Sequence, residues 1–167
     1  MNSLTNTILL RLLSILCSAL LAGNSMAQCT TIGSAAYWET YGAGCGTPPV
    51  LTASANPVLG SVMALHTANL PPTTLVVVTV ISFTAPTTPT NTLFTIPLAS
   101  GCWNYLAGPL DYVVTFPFSN GADTWLGIPA STNWQGQIVH AQSAILTFDF
   151  AFVLSEMSNA LCLHLGT

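Results

Sequence analysis

The sequence predicts an all-β protein: a single antiparallel β-sandwich or jelly-roll-like domain behind a cleaved signal peptide. Three observations lead there. Short runs of β-branched and aromatic residues recur along the chain, separated by Pro, Gly, Asn and Ser. No stretch longer than about ten residues combines helical periodicity with capping residues. Beyond the first segment the cysteines are even in number, as suits an exported domain braced by disulfides.

The chain opens with a short polar stretch, residues 1–6, and a Leu-, Ile- and Ala-rich run, residues 8–22, whose one cation is Arg11. Ser25 and Ala27 then stand where signal peptidase wants small residues, so residues 1–27 read as a signal peptide. The apolar run falls short of the roughly 20 residues of a membrane span, which disfavours a retained anchor. Lipid attachment at Cys29 or Cys17 is disfavoured by Gln28 and Leu16, which stand where that signal needs a small residue. The expected location is therefore extracellular or at the cell surface. Residues 28–40 are expected to form an N-terminal arm or edge strand, and residues 41–167 the disulfide-stabilised domain.

Charge is almost absent. Arg11 is the single Lys or Arg in the chain, and the acids are Glu39, Asp111, Asp123, Asp149 and Glu156. Without Lys or Arg the processed chain cannot neutralise phosphates, so nucleic-acid binding is excluded, and anionic membranes have nothing to attract. Charged residues make up 4% of the chain, against roughly 25% in ordinary domains. A surface solvated by Thr, Ser, Asn and Gln offers little repulsion between copies, and self-association is the expectation. Disorder is not, because half of the residues are apolar.

After processing, Cys29, Cys45, Cys102 and Cys162 remain. They allow three pairings, and spacing does not choose among them. Cys45–Cys102 with Cys29–Cys162 is preferred, the second tying the chain ends together. No CxxC couple is present, and zinc ligands normally come in such close-spaced couples, so no metal site is expected.

Each strand has its own signal. Residues 51–53 follow Pro48-Pro49. Residues 61–67 place Val62, Ala64 and His66 on one face and Met63, Leu65 and Thr67 on the other. After the turn at residues 69–72, residues 74–83 are β-branched almost throughout. Such a run predicts a central strand buried on both faces, or one with a face against another subunit. Residues 84–92 are a Thr- and Pro-rich loop. Strands are expected again at 93–96, 102–106 and 111–116, the last stopped by Pro117, with a tight turn at Asn120-Gly121. Residues 124–128 follow, ended by Pro129. Residues 137–150 are long enough to need a bulge or bend, and their Thr and Phe content favours strand over the helix that Ala and Gln alone would allow. Residues 158–165 close the domain, with Leu161, Leu163 and Leu165 alternating against Cys162 and His164.

A recurrent order of short segments stands out: Tyr41-Gly42-Ala43-Gly44-Cys45-Gly46, Asn56-Pro57-Val58-Leu59-Gly60, Ala68-Asn69-Leu70-Pro71-Pro72, Pro97-Leu98-Ala99-Ser100-Gly101-Cys102, Ile128-Pro129 and Ser158-Asn159-Ala160-Leu161. Over residues 41–166 the chain resembles a small Gly-Cys-containing β domain found at the C-termini of secreted proteins of planctomycete-like environmental bacteria. The resemblance implies a β-sandwich-like extracellular module with a disulfide between the two Gly-Cys elements, Cys45 and Cys102. It implies no activity. The chain departs from that pattern in standing without the large region the module normally follows, and in Cys29 and Cys162, which lie outside it.

Catalytic motifs are missing. There is no Gly-x-Ser-x-Gly elbow, no Ser-x-x-Lys and no phosphate loop ending in Gly-Lys. His66, His140 and His164 are widely spaced, and each lies in a strand-like run. Packed or surface histidines are therefore a better reading than a triad or metal site with Asp111, Asp123 or Asp149. Asp123 beside Trp125 comes nearest to a glycosidase carboxylate, although Gly121-Ala122-Asp123 reads equally as turn chemistry. No enzyme and no cofactor are expected. Tyr37, Trp38, Tyr41, Trp103, Tyr105, Trp125 and Trp134 fit either a sugar-stacking platform or, preferably, a core or subunit interface. Trp38, Trp103, Tyr105, Trp125 and Trp134 are the interface or ligand candidates, with Trp103 and Tyr105 on one strand face.

The functional expectation is a secreted, non-enzymatic structural or assembly protein that self-associates into a fibre or surface layer. Residues 28–38 would be the arm that pairs with a neighbour's sheet edge. The alternative is a monomeric extracellular carbohydrate-binding module, with polysaccharide as partner. Neither reading involves nucleic acid or stable membrane insertion.

Overall fold

The computed structural model describes residues 29, 33–46, 48–148 and 152–167. The signal peptide and Asp149 lie outside the described residues. Within them the chain is all-β, and its antiparallel sheets pack as a sandwich. The larger sheet has the order β1-β10-β9-β4-β7, from β1 (Tyr37–Tyr41), β4 (Thr74–Ser82), β7 (Asp111–Thr115), β9 (Ile138–Phe148) and β10 (Phe152–His164). The smaller has the order β2-β3-β8, from β2 (Val50–Ala53), β3 (Val62–Ala68) and β8 (Gly121–Gly127). β5 (Thr92–Leu93) and β6 (Ile96–Pro97) form a separate two-stranded hairpin that buries Leu93 in the core.

The β-branched run is the inner strand its composition predicted: β4 lies between β9 and β7. Its alternation serves two faces. Val77 and Ile81 pack towards the small sheet, while Val78 and Val80 pack under the long segment between β4 and β7. The interface between the sheets is built from Leu51, Met63 and Leu65 on one side and Val139, Ala141, Leu161 and Leu163 on the other. It also holds a buried chain of hydroxyls. Thr67 lies 2.8 Å from Ser143, Ser143 3.2 Å from Thr79, and Thr79 2.8 Å from Thr124. Each hydroxyl thereby satisfies its neighbour where an unpaired one would cost about 1–3 kcal/mol.

From Met157 to His164 β10 has both faces covered, so Cys162 and His164 are buried along with Leu161 and Leu163. Opposite Ser143, β10 carries a bulge: the register steps from Met157↔Ala144 to Ala160↔Gln142, so Ser158 and Asn159 share one partner position. The bend foreseen for residues 137–150 thus falls on the strand beside them. Closure is completed by two disulfides, Cys45–Cys102 and Cys29–Cys162, with Cα separations of 5.1 and 5.9 Å.

Three local expectations fail. Residues 102–106 are not a strand. Only Asn104 bridges, to Thr90, because the fully buried Gln142 takes over the backbone polar groups there. Its side chain accepts from Tyr105 N–H and donates to the carbonyls of Trp103 and Ser158, all at 2.9 Å. Residues 93–96 are not one strand but the hairpin turn, with Phe94 and Thr95 at φ 49° and 69°. The turn expected at Asn120-Gly121 has Ser119 and Asn120 at its tip, with Phe118 and Gly121 exchanging backbone hydrogen bonds at its base.

Candidate functional site

The outward face of the small sheet carries one candidate site. Along β8 the inward residues Ala122 and Thr124 are buried, which by strand alternation turns Asp123 and Trp125 outward. Trp125 is 68% exposed. Its cross-strand partner on β3 is Ala64, too small to cover the indole. The next pair along is His66 and Asp123, in register and bonded at 2.6 Å between Nδ1 and Oδ1. The imidazole lies over Gly121, where an added Cβ would come within 2.8 Å of its Cε1. Both members of the pair are about half exposed, so the pair is worth little to stability. Chemically, this face offers an open aromatic plane beside one acceptor and one donor-acceptor ring.

A second candidate is an edge. Strand β7 pairs with β4 on one side and ends the sheet order on the other. Asp111, Tyr112, Val113 and Val114 are all exposed, so neither face of the strand is covered. Tyr112, at 61% exposure, touches only the ring of Phe94 edge-on among described aromatic contacts. The apolar surface continues past the strand into Phe116 and Phe118.

The third cluster is buried at the β1 edge. His140 Nδ1 lies 3.4 Å from Cys29 Sγ and 3.1 Å from the Tyr41 hydroxyl, which donates to the Tyr105 carbonyl. Burial, and secondarily His164, hold His140 below the usual imidazole pKa. Burial, and secondarily Tyr105, push Tyr41 well above an ordinary phenol. Cys29, His140 and Cys162 have donor atoms within 4.8 Å of one another, yet both sulfurs are joined in the disulfide and are not free thiolates. Nearby, His164 is bonded to Glu39 at 3.1 Å and stacked on Tyr37.

Tyr41 and Tyr105 meet edge-on in the core, with ring centroids 5.9 Å apart, but the candidate aromatics do not gather into one platform. Trp38 and Trp134 pack against the core at its margin, Tyr105 is buried, Trp103 is exposed on an irregular segment, and Trp125 stands on the small sheet. The shared strand face expected for Trp103 and Tyr105 does not form, because that segment is held by Gln142 rather than by a ladder. The His66–Asp123 contact escaped the sequence, since strands 57 residues apart must pair in register to make it. The exposed Phe116 and Phe118 also escaped it, although an apolar pair around Pro117 before a tight turn was a usable signal.

No protein-family model, no curated protein and no solved structure matches the chain. The two disulfides are typical of oxidising, extracellular settings. Among the described residues no helix is long and apolar enough to cross a membrane.

Proposed function

We propose that the chain is a secreted structural protein whose copies associate through the open edge of β7. The carrying observation is that edge itself: Tyr112, Val113 and Val114 are exposed, and β7 ends the sheet order. Soluble proteins usually blunt such edges with Lys, Pro or a covering loop, because unpaired N–H and C=O groups recruit another strand. β7 carries only Asp111 as a blunting charge. The near-absence of charge elsewhere supports the same reading, since little repulsion opposes contact between copies.

The arm mechanism expected for residues 28–38 gives way to β7 in this proposal. β1 already pairs with β10 of its own chain, and Cys29 is bonded to Cys162. Sedimentation and negative-stain microscopy of the oxidised protein test the proposal, comparing wild type with Val114→Lys. Large assemblies in wild type that shrink to smaller ones in the folded Lys variant support it. A monomeric wild type, or unchanged assembly by the variant, overturns it.

A second reading rests on Trp125. An exposed indole flanked by His66 and Asp123 suits stacking on a sugar ring with hydrogen bonds to its hydroxyls, the chemistry of a carbohydrate-binding module.

A further inference from the structure

The inter-sheet core opens at one end into an apolar pocket of about 190 Å³. Ile81, Leu126, Val139 and Leu163 form its walls, and Phe83 and Trp134, with ring centroids 5.4 Å apart, stand at its margin. No carboxylate, amide or hydroxyl side chain lines it. A cavity of about 150 Å³ with such walls stays dry and accepts a benzene ring. The pocket therefore has the size and chemistry for one phenyl group.

The chain carries such a group at its opposite end. Phe118 is 88% exposed, and Phe116 is 76% exposed. Phe118 is not a loose loop residue. Its N–H donates to Gly121 O at 2.8 Å, and its carbonyl accepts from Gly121 N–H at 3.2 Å. Gly121 has no side chain with which to shield the ring. With its backbone pinned in this way, Phe118 gives up only the rotamer freedom of its own side chain on docking.

β8 separates the two features: it starts beside Phe118 at Gly121 and runs to Gly127 at the pocket. At about 3.3 Å per residue this is roughly 20 Å, so Phe118 cannot reach the pocket of its own chain. A knob and a pocket at opposite ends of one subunit make a heterologous contact, which repeats without closing. Neither the Phe118 turn nor the pocket lining contains a charged residue, so joining the ends strands no ion.

We infer that copies of this chain join end to end, Phe118 of one copy seated in the apolar pocket of the next. This rests on the self-association reading and adds an axial contact to the lateral β7 edge. Sedimentation velocity of the oxidised full chain, carried out in the Val114→Lys background to remove lateral pairing, tests it. Phe118→Ser removes the knob at an exposed position that cannot disturb the core. Val139→Phe fills the pocket, and Leu126→Trp is the substitute should that variant fail to fold.

Background protein should form short linear oligomers, and either change should weaken them by about tenfold or more, the loss expected from exposing one phenyl ring. An equimolar mixture of the knobless and filled variants retains one usable knob and one usable pocket, and should give dimers and nothing larger. Oligomers unaffected by Phe118→Ser, or no dimer in the mixture, overturn the axial contact while leaving β7 pairing in wild type standing. A wild type that never associates overturns both.

Discussion

The side-chain amide of Asn159 makes both outward backbone hydrogen bonds of Leu51: Leu51 N–H donates to Oδ1 at 2.9 Å, and Nδ2 donates to the Leu51 carbonyl at 3.0 Å. Leu51 is fully buried on β2, an edge strand of the small sheet whose ladder partner is β3. Asn159 reaches it because the β10 bulge gives Ser158 and Asn159 one shared position. A single side chain thus replaces a missing strand and stitches the two sheets together.

Removing that stitch should be costly. Asn159→Ala leaves a buried N–H and a buried carbonyl without partners, each worth about 1–3 kcal/mol. A loss of about 2–4 kcal/mol in urea unfolding is expected, against less than about 0.5 kcal/mol for the exposed Asn133→Ala.

The disulfides should be separable in effect. Loops of 57 and 133 residues predict losses of about 4 and 5 kcal/mol for the Cys45/Cys102 and Cys29/Cys162 double alanine variants. Unfolding midpoints give the magnitudes. Non-reduced peptic digests should yield the two cross-linked peptide pairs, Arg11 being the single tryptic site in the chain.

His140 should make the protein acid-sensitive. Its pKa in the fold lies below the unfolded value, so the unfolded chain takes up the proton more readily. The stability it contributes is complete above about pH 6.5 and is lost as pH falls from there towards the folded pKa. Wild type should weaken across that window by at most about 1.4 kcal/mol per pH unit relative to His140→Gln. Parallel unfolding curves for the two proteins at every pH would sink this.

Glycan binding, if the chain has it, should reside on Trp125. Titration with soluble polysaccharides should shift tryptophan emission in wild type and not in Trp125→Ala. Asp123→Asn should weaken binding without abolishing stacking. An identical response from Trp125→Ala would remove the small-sheet face from consideration.

Much of the fold was legible where one residue pattern had one physical solution. The alternation of Met63, Leu65 and Thr67 against Val62, Ala64 and His66 assigns the faces of β3, with Ala64 buried on the outward side as the one exception. The β-branched run assigns β4 to the sheet interior. Illegible places were those where a distant side chain overruled local preference. Residues 102–106 have strand composition, yet Gln142 takes their hydrogen bonds. Phe94 and Thr95 adopt positive φ without being Gly or Asn, so no turn signal marks them. The binding features were hardest to read, because an aromatic residue looks the same in sequence whether it ends buried, like Tyr105, or bare, like Trp125 and Phe118.

By itself the sequence determined the all-β class, the near-absence of charge with Arg11 as the single cation, and the inward faces of the main strands. These follow from side-chain chemistry and a two-residue period, which are local properties. Tertiary structure alone decided the cysteine pairing, the His66–Asp123 register, the bulge that frees Asn159, and which end of β8 bears a knob and which a pocket. Those depend on how strands far apart in the chain are brought side by side, and only the collapsed core chooses among the arrangements that local chemistry leaves open.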